Sequence, residues 1–110
     1  MCRIAEKAIE KGYGVEIFLY GDGVHAQMTN QAPKNFLNVG QALMRLAERG
    51  AVIKSCLICS IARGYIEGEF DESRGKYPSS KALDVVEFCT IYGFIDMIRK
   101  ADKLLTFGSS

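Results

Sequence analysis

Apolar positions in the opening stretch CRIAEKAIEKG fall at Ile4, Ala5, Ala8 and Ile9, the spacing of one helical face, with Gly12 or Gly14 as its stop. The period then shortens. VEIFLYGDG is a compact apolar run rich in residues that suit strands, closed by a Gly-Asp-Gly turn. From Val24 to Pro33 the chain is polar and aperiodic, which predicts a loop. NFLNVGQALMRLAERG returns to the helical period, with Phe36, Leu37, Val39, Leu43, Leu46 and Ala47 mainly on one face and Gly50 as the stop. A second strand, AVIKSCLI, follows.

Beyond it, ARGYIEGEF gives way to DESRGKYPSS, whose Gly75 and Pro78 break any regular element and predict a surface loop. VEFCTI reads as a third strand, YGFIDMIRKA as a helix and DKLLTF as a last strand, with GSS trailing. Helix and strand thus alternate from end to end. Such alternation predicts an α/β fold with a mostly parallel sheet, helices on its faces and ligands at the carboxyl ends of the strands.

A chain of 110 residues, 48% hydrophobic and 25% charged, has room for one modest core, so residues 1–110 are expected to form a single domain. Fourteen Lys and Arg against thirteen Asp and Glu leave a net charge of +1. With the basic residues spread along the chain, nucleic acid is not an implied partner. No apolar run reaches the length of a membrane span. Glu6, Lys7, Glu10 and Lys11 occupy the place where a signal peptide would be hydrophobic, so a cytoplasmic location is expected. No Walker motif or Gly-x-Gly-x-x-Gly is present, and no cofactor is implied.

The chemistry concentrates in IKSCLICSIARG, where Cys56 and Cys59 lie three residues apart at the end of the second strand. Cysteine is among the most buried residue types, so Cys2 and Cys89 read as small apolar core side chains. The same reading stays open for Cys56 and Cys59. A structural zinc site needs four ligands, whereas the sequence offers one such pair and a single histidine, His25, so no metal is expected within one chain. A thioredoxin-like pair is a stronger competitor, since a strand-to-helix junction favours thiolate on the first cysteine. Leu57 and Ile58 between the cysteines do not match a thioredoxin turn. A third reading is sulfur carriage as a cysteine persulfide, with Arg63 and the turn amides holding the anion. His25 could assist thiol deprotonation, although a solvated loop histidine is the commoner case, and Asp22 reads as a turn former. Phe88, Tyr92 and Phe94 read as core or subunit contact.

CLICSIARG resembles the Cys-x-x-Cys-x-x-Ala-Arg-Gly motif of one branch of the DsrE/DsrF-like family, with Cys56, Cys59, Ala62, Arg63 and Gly64 in order. GYGVEIFLYGDGVHAQ and IDMIRKADKLLTF are similar to flanking regions of the same family. The resemblance implies a flavodoxin-like or Rossmann-like three-layer fold, here without the usual first strand, which would be an inner strand of the sheet. It also implies homotrimers, homohexamers or hetero-oligomers with related subunits. In TusD-like members the position of Cys56 carries sulfur. The expected function is therefore a sulfur-relay protein, in effect a sulfurtransferase, that holds sulfane sulfur on Cys56 and passes it to an acceptor protein with a reactive cysteine. Cys59 and Arg63 would assist, as resolving thiol and anion stabiliser. A non-catalytic oligomeric scaffold and a thiol-disulfide redox protein are the alternatives.

Overall fold

The computed structural model describes residues 2–29, 31 and 38–105. In chain order the elements are α1 (Cys2–Glu10), β1 (Glu16–Leu19), a 3₁₀ segment (Gly21–Gln27), α2 (Val39–Glu48), β2 (Val52–Cys56), α3 (Leu57–Ala62), β3 (Val86–Cys89) and α4 (Ile91–Lys100). Local chemistry sets the helix ends. The Asn38 carboxamide accepts the Gln41 N–H at 3.0 Å to open α2. At its far end the N–H groups of Gly50 and Ala51 reach back to the carbonyls of Ala47 and Leu46. α3 stops in the same way, with Gly64 at φ 80 and the Tyr65 N–H donating to the Ser60 carbonyl at 2.9 Å. A left-handed residue costs glycine least, and this one turns the chain so that Tyr65 is only 3% exposed.

The three strands are all parallel and lie in the order β1, β2, β3. Register partners project to the same face of a sheet. Ile17, Ile53 and Val86 therefore share one face, and Phe18, Lys54 and Glu87 share the other. On the first face these aliphatics join Leu19, Ala5 of α1, and Ala42, Leu43 and Leu46 of α2 in the hydrophobic core. On the second lies α4, whose Phe94 ring stacks on Phe18 with centroids 4.4 Å apart and planes 12° off parallel. Met97 is the buried residue of α4. Helices, sheet and helix make three layers, the flavodoxin-like α/β arrangement.

Several details depart from the sequence reading. The stretch from Val24 onward, expected as a loop, begins inside the 3₁₀ segment. The chain after it is tied to the strand-like 81–83 stretch by Thr29 N–H to Lys81 O (2.7 Å) and Leu83 N–H to Gln27 O (2.8 Å). Residues 102–105 of the expected last strand form no ladder, and Leu104 and Leu105 are exposed. A strand needs a pairing edge as well as suitable residues. Thr106, Phe107 and the trailing end, like Phe36, Leu37 and the Cys2 side chain, lie outside the described residues. Among the described residues α1 is the first element, and the three strands pair contiguously. A further strand would therefore have its place at the outer edge of β1 or β3, not between them. No described helix is long and apolar enough to cross a membrane.

Candidate functional site

Cys56 is both the last residue of β2 and the N-cap of α3. Its sulfur takes the role usually filled by a Ser, Asp or Asn oxygen, accepting the Cys59 N–H at 3.4 Å. The Cys-x-x-Cys spacing thereby places the second cysteine at the amide that the first one caps. Cys59 packs against the core cluster, and its sulfur accepts the Gly21 N–H at 3.2 Å. Gly21, at φ 57, is the left-handed first residue of the 3₁₀ segment. The carboxyl ends of β1 and β2 are in this way joined through a thiol.

Arg63 fastens the same junction from outside. Its Nε and one terminal nitrogen each lie 3.0 Å from an Asp22 carboxylate oxygen, and the other terminal nitrogen donates to the Cys59 carbonyl at 3.2 Å. Asp22, expected only to form a turn, is thus a partner of Arg63.

The two thiols influence one another's ionisation. Cys59 is held below the usual thiol range, first by the hydrogen bond from the Cys56 thiol, then by the Gly21 N–H and the Arg63 charge, against the opposing effect of burial. Cys56 is pushed up, first by burial and then by its hydrogen bond to Cys59. These directions favour thiolate at Cys59 over Cys56, and the pair titrates as a unit.

His25 stands apart from this pair. Its Nδ1 shares a 2.8 Å hydrogen bond with the Tyr65 hydroxyl, and burial raises the pKa of that tyrosine. His25, which the sequence offered as a solvated loop residue or an aid to the thiols, has Tyr65 as its partner, a pairing that the turn at Gly64 sets up. Beneath α3 lies a polar island that the sequence reading missed. Gln27 Nε2 donates to Ser60 Oγ at 3.1 Å, and Ser60 Oγ pairs with Ser55 Oγ at 3.1 Å. All three residues are fully buried. The one signal available was the pair of serines interrupting the apolar run IKSCLICSI.

Cys56, Cys59 and Cys89 are free thiols. Among the described residues no three His, Cys, Asp or Glu side chains converge as a metal-holding group. Two small cavities under the 71–79 loop are lined by residues such as Lys76, Tyr77, Ser79 and Asp84, with no cysteine in either wall.

Known proteins align with nearly the whole chain. The protein MK0008 of Methanopyrus kandleri, itself uncharacterized, is 31% identical, covering 96% of this chain and 77% of its own. YchN of Escherichia coli is 28% identical, covering 94% of this chain and 79% of its own. The crystal structure of the E. coli YchN protein matches with a TM-score of 0.78 at 27% identity, covering 96% of this chain and 82% of that one. The DsrE/DsrF-like family matches residues 1–107, and the chain belongs to that family.

Proposed function

We propose that the protein carries sulfane sulfur as a persulfide on Cys56 and passes it to a cysteine of an acceptor protein. The observation that carries the reading is the place of Cys56 at the strand-to-helix junction, where its sulfur caps α3 at the Cys59 N–H. Cys56 ends β2 and caps α3, so its sulfur stands at the junction, and the Gly21 N–H and Arg63 favour negative charge beside it at Cys59. The Cys56 sulfur attacks the outer sulfur of a persulfide donor, the donor leaves as a thiolate, and Cys56 holds S–SH. An acceptor thiolate then attacks that outer sulfur, and Cys56 departs as the thiolate. With both cysteines half-buried and outside the cavities, exchange with a protein-borne thiol at the surface suits the site better than an enclosed small substrate. Membership of the DsrE/DsrF-like family supports the same class of chemistry.

The same reading makes the working form an assembly of copies or of related subunits. α4 leaves Ile91, Tyr92, Ile95 and Ile98 exposed along a helix that covers only part of its sheet face. The closeness of the two cysteines, with the Cys59 N–H on the Cys56 sulfur, also favours a second reading, a dithiol oxidant that cycles through a Cys56–Cys59 disulfide. Intact-mass analysis after brief exposure to inorganic polysulfide separates the two. A relay gains one sulfur in wild type and in Cys59→Ser, and none on this site in Cys56→Ser. Unchanged loading in Cys56→Ser overturns the assignment, whereas loss of loading in Cys59→Ser points to the dithiol cycle.

A further inference from the structure

Cys89 closes β3 as Cys56 closes β2, and the register makes them direct partners. Parallel neighbours lie about 4.8 Å apart with their side chains on one face, inside the roughly 4.4–6.8 Å span of Cα atoms that a disulfide bridges. The Cys89 side chain faces α4. A Cβ at Gly93 would come within 3.0 Å of Cys89 Cβ and 3.2 Å of its Sγ, so the glycine leaves the sulfur its place. Burial raises the Cys89 thiol first, the Lys54 charge works against this, and charge on Cys56 and on Glu87 adds to the rise. Cys59 packs against the core on the α1–α2 side. Cys56 therefore stands between two thiols, one on each side of the sheet's end.

We propose that Cys89 is a resolving thiol for Cys56, forming a cross-strand disulfide that discharges the carried sulfur as hydrosulfide. This rests on Cys56 being the carrier. The Cys89 thiolate attacks the inner sulfur of the Cys56 persulfide, and the S–SH bond breaks with its electron pair leaving on HS⁻. The sulfane sulfur is reduced by two electrons and the two cysteine sulfurs are each oxidised by one, so no further oxidant takes part. A loaded chain that meets no acceptor thus empties itself into a closed form, which a dithiol reductant reopens. Since Cys89 must first lose its proton and burial holds that proton on, discharge quickens as the pH rises.

The test uses the full chain as Cys59→Ser, which removes the competing thiol, and as Cys59→Ser/Cys89→Ser. Both are loaded with polysulfide without air and followed by intact mass. The single variant is expected to gain one sulfur and then lose it, ending two hydrogens lighter than the reduced chain with tryptic peptides 55–63 and 82–99 linked. The double variant keeps its sulfur. Equal persistence in both overturns the role of Cys89 and leaves the carrier standing. Failure of both to load overturns the carrier and the resolving role with it. Diamide oxidation of Cys59→Ser examines the pairing without any persulfide: the same linked peptides are expected, and their absence in a folded chain overturns the inference.

Discussion

The two faces of the sheet are built to different standards. Toward α1 and α2, Ile17, Leu19, Ile53 and Val86 meet Ala42, Leu43 and Leu46, and every one of them is buried. Toward α4 the same strands present Glu16, Phe18, Val52, Lys54 and Glu87, and one helix with a single buried residue lies over them. Parallel sheets are ordinarily covered on both faces, with near-continuous apolar strands. Here the burial alternates along β1 and β2 instead, so the packed face supplies most of the chain's own burial and the other leaves more surface open. The cysteines sit where the two meet, with Cys59 on the core side and Cys89 on the α4 side of Cys56.

The largest expected effect comes from the packed face. Leu43 is fully buried, and Leu43→Ala should lower stability to urea by about 2–5 kcal/mol through lost transfer energy and a residual cavity. Tyr92, 76% exposed on α4, should change the unfolding of a dilute chain by no more than about 0.5 kcal/mol on replacement by Ser. The same Tyr92→Ser change should weaken self-association in light scattering across a concentration series. Equal costs at the two positions, or association untouched by Tyr92→Ser, would show that the contrast between faces has been misread.

A smaller effect probes the polar island inside the packed face. Ser60→Ala removes the partner of both Gln27 Nε2 and Ser55 Oγ in a place where Gln27 Oε1 already has none. Leaving buried polar groups unpaired costs about 1–3 kcal/mol, so Ser60→Ala should destabilise more than Ala42→Gly-type changes to backbone freedom alone, which cost about 1 kcal/mol. Chemical denaturation measures both. Because the island supports α3 from below, its loss should also slow sulfur loading.

What the sequence made legible was local. α1, α2, α4 and the three strands stand where the apolar period places them, because one buried face per element is the signal that period carries. The strand-to-helix position of Cys56 was only partly readable: the expected strand AVIKSCLI runs two residues past it, whereas Leu57 and Ile58 open α3, which Cys56 caps. Partners distant in sequence were not readable. Nothing near Cys89 distinguishes it from a core cysteine until the β2–β3 register sets it beside Cys56. The pairs Arg63–Asp22 and His25–Tyr65 join residues about forty positions apart, beyond the reach of spacing rules. Residues 102–105 of DKLLTF show the opposite failure: a strand-like composition outside any ladder.

The smallest effect tests how the site holds its charge. The Arg63–Asp22 pair is open to water, with the Asp22 side chain 90% exposed, so Asp22→Asn should alter stability by no more than about 1 kcal/mol. Its influence on reactivity has a definite sign. The Asp22 carboxylate offsets part of the Arg63 charge that favours thiolate on Cys59. Removing the carboxylate while the Arg63 hydrogen bond to the Cys59 carbonyl remains should move the alkylation profile of Cys59 to lower pH. Arg63→Gln removes the cation and should move it to higher pH. Iodoacetamide rates against pH, read at the peptide that contains Cys59 in a Cys56→Ser background, give both shifts without the influence of Cys56. Shifts in the same direction for the two variants would mean that Arg63 acts on Cys59 only by holding the 3₁₀ segment in place, and not through its charge.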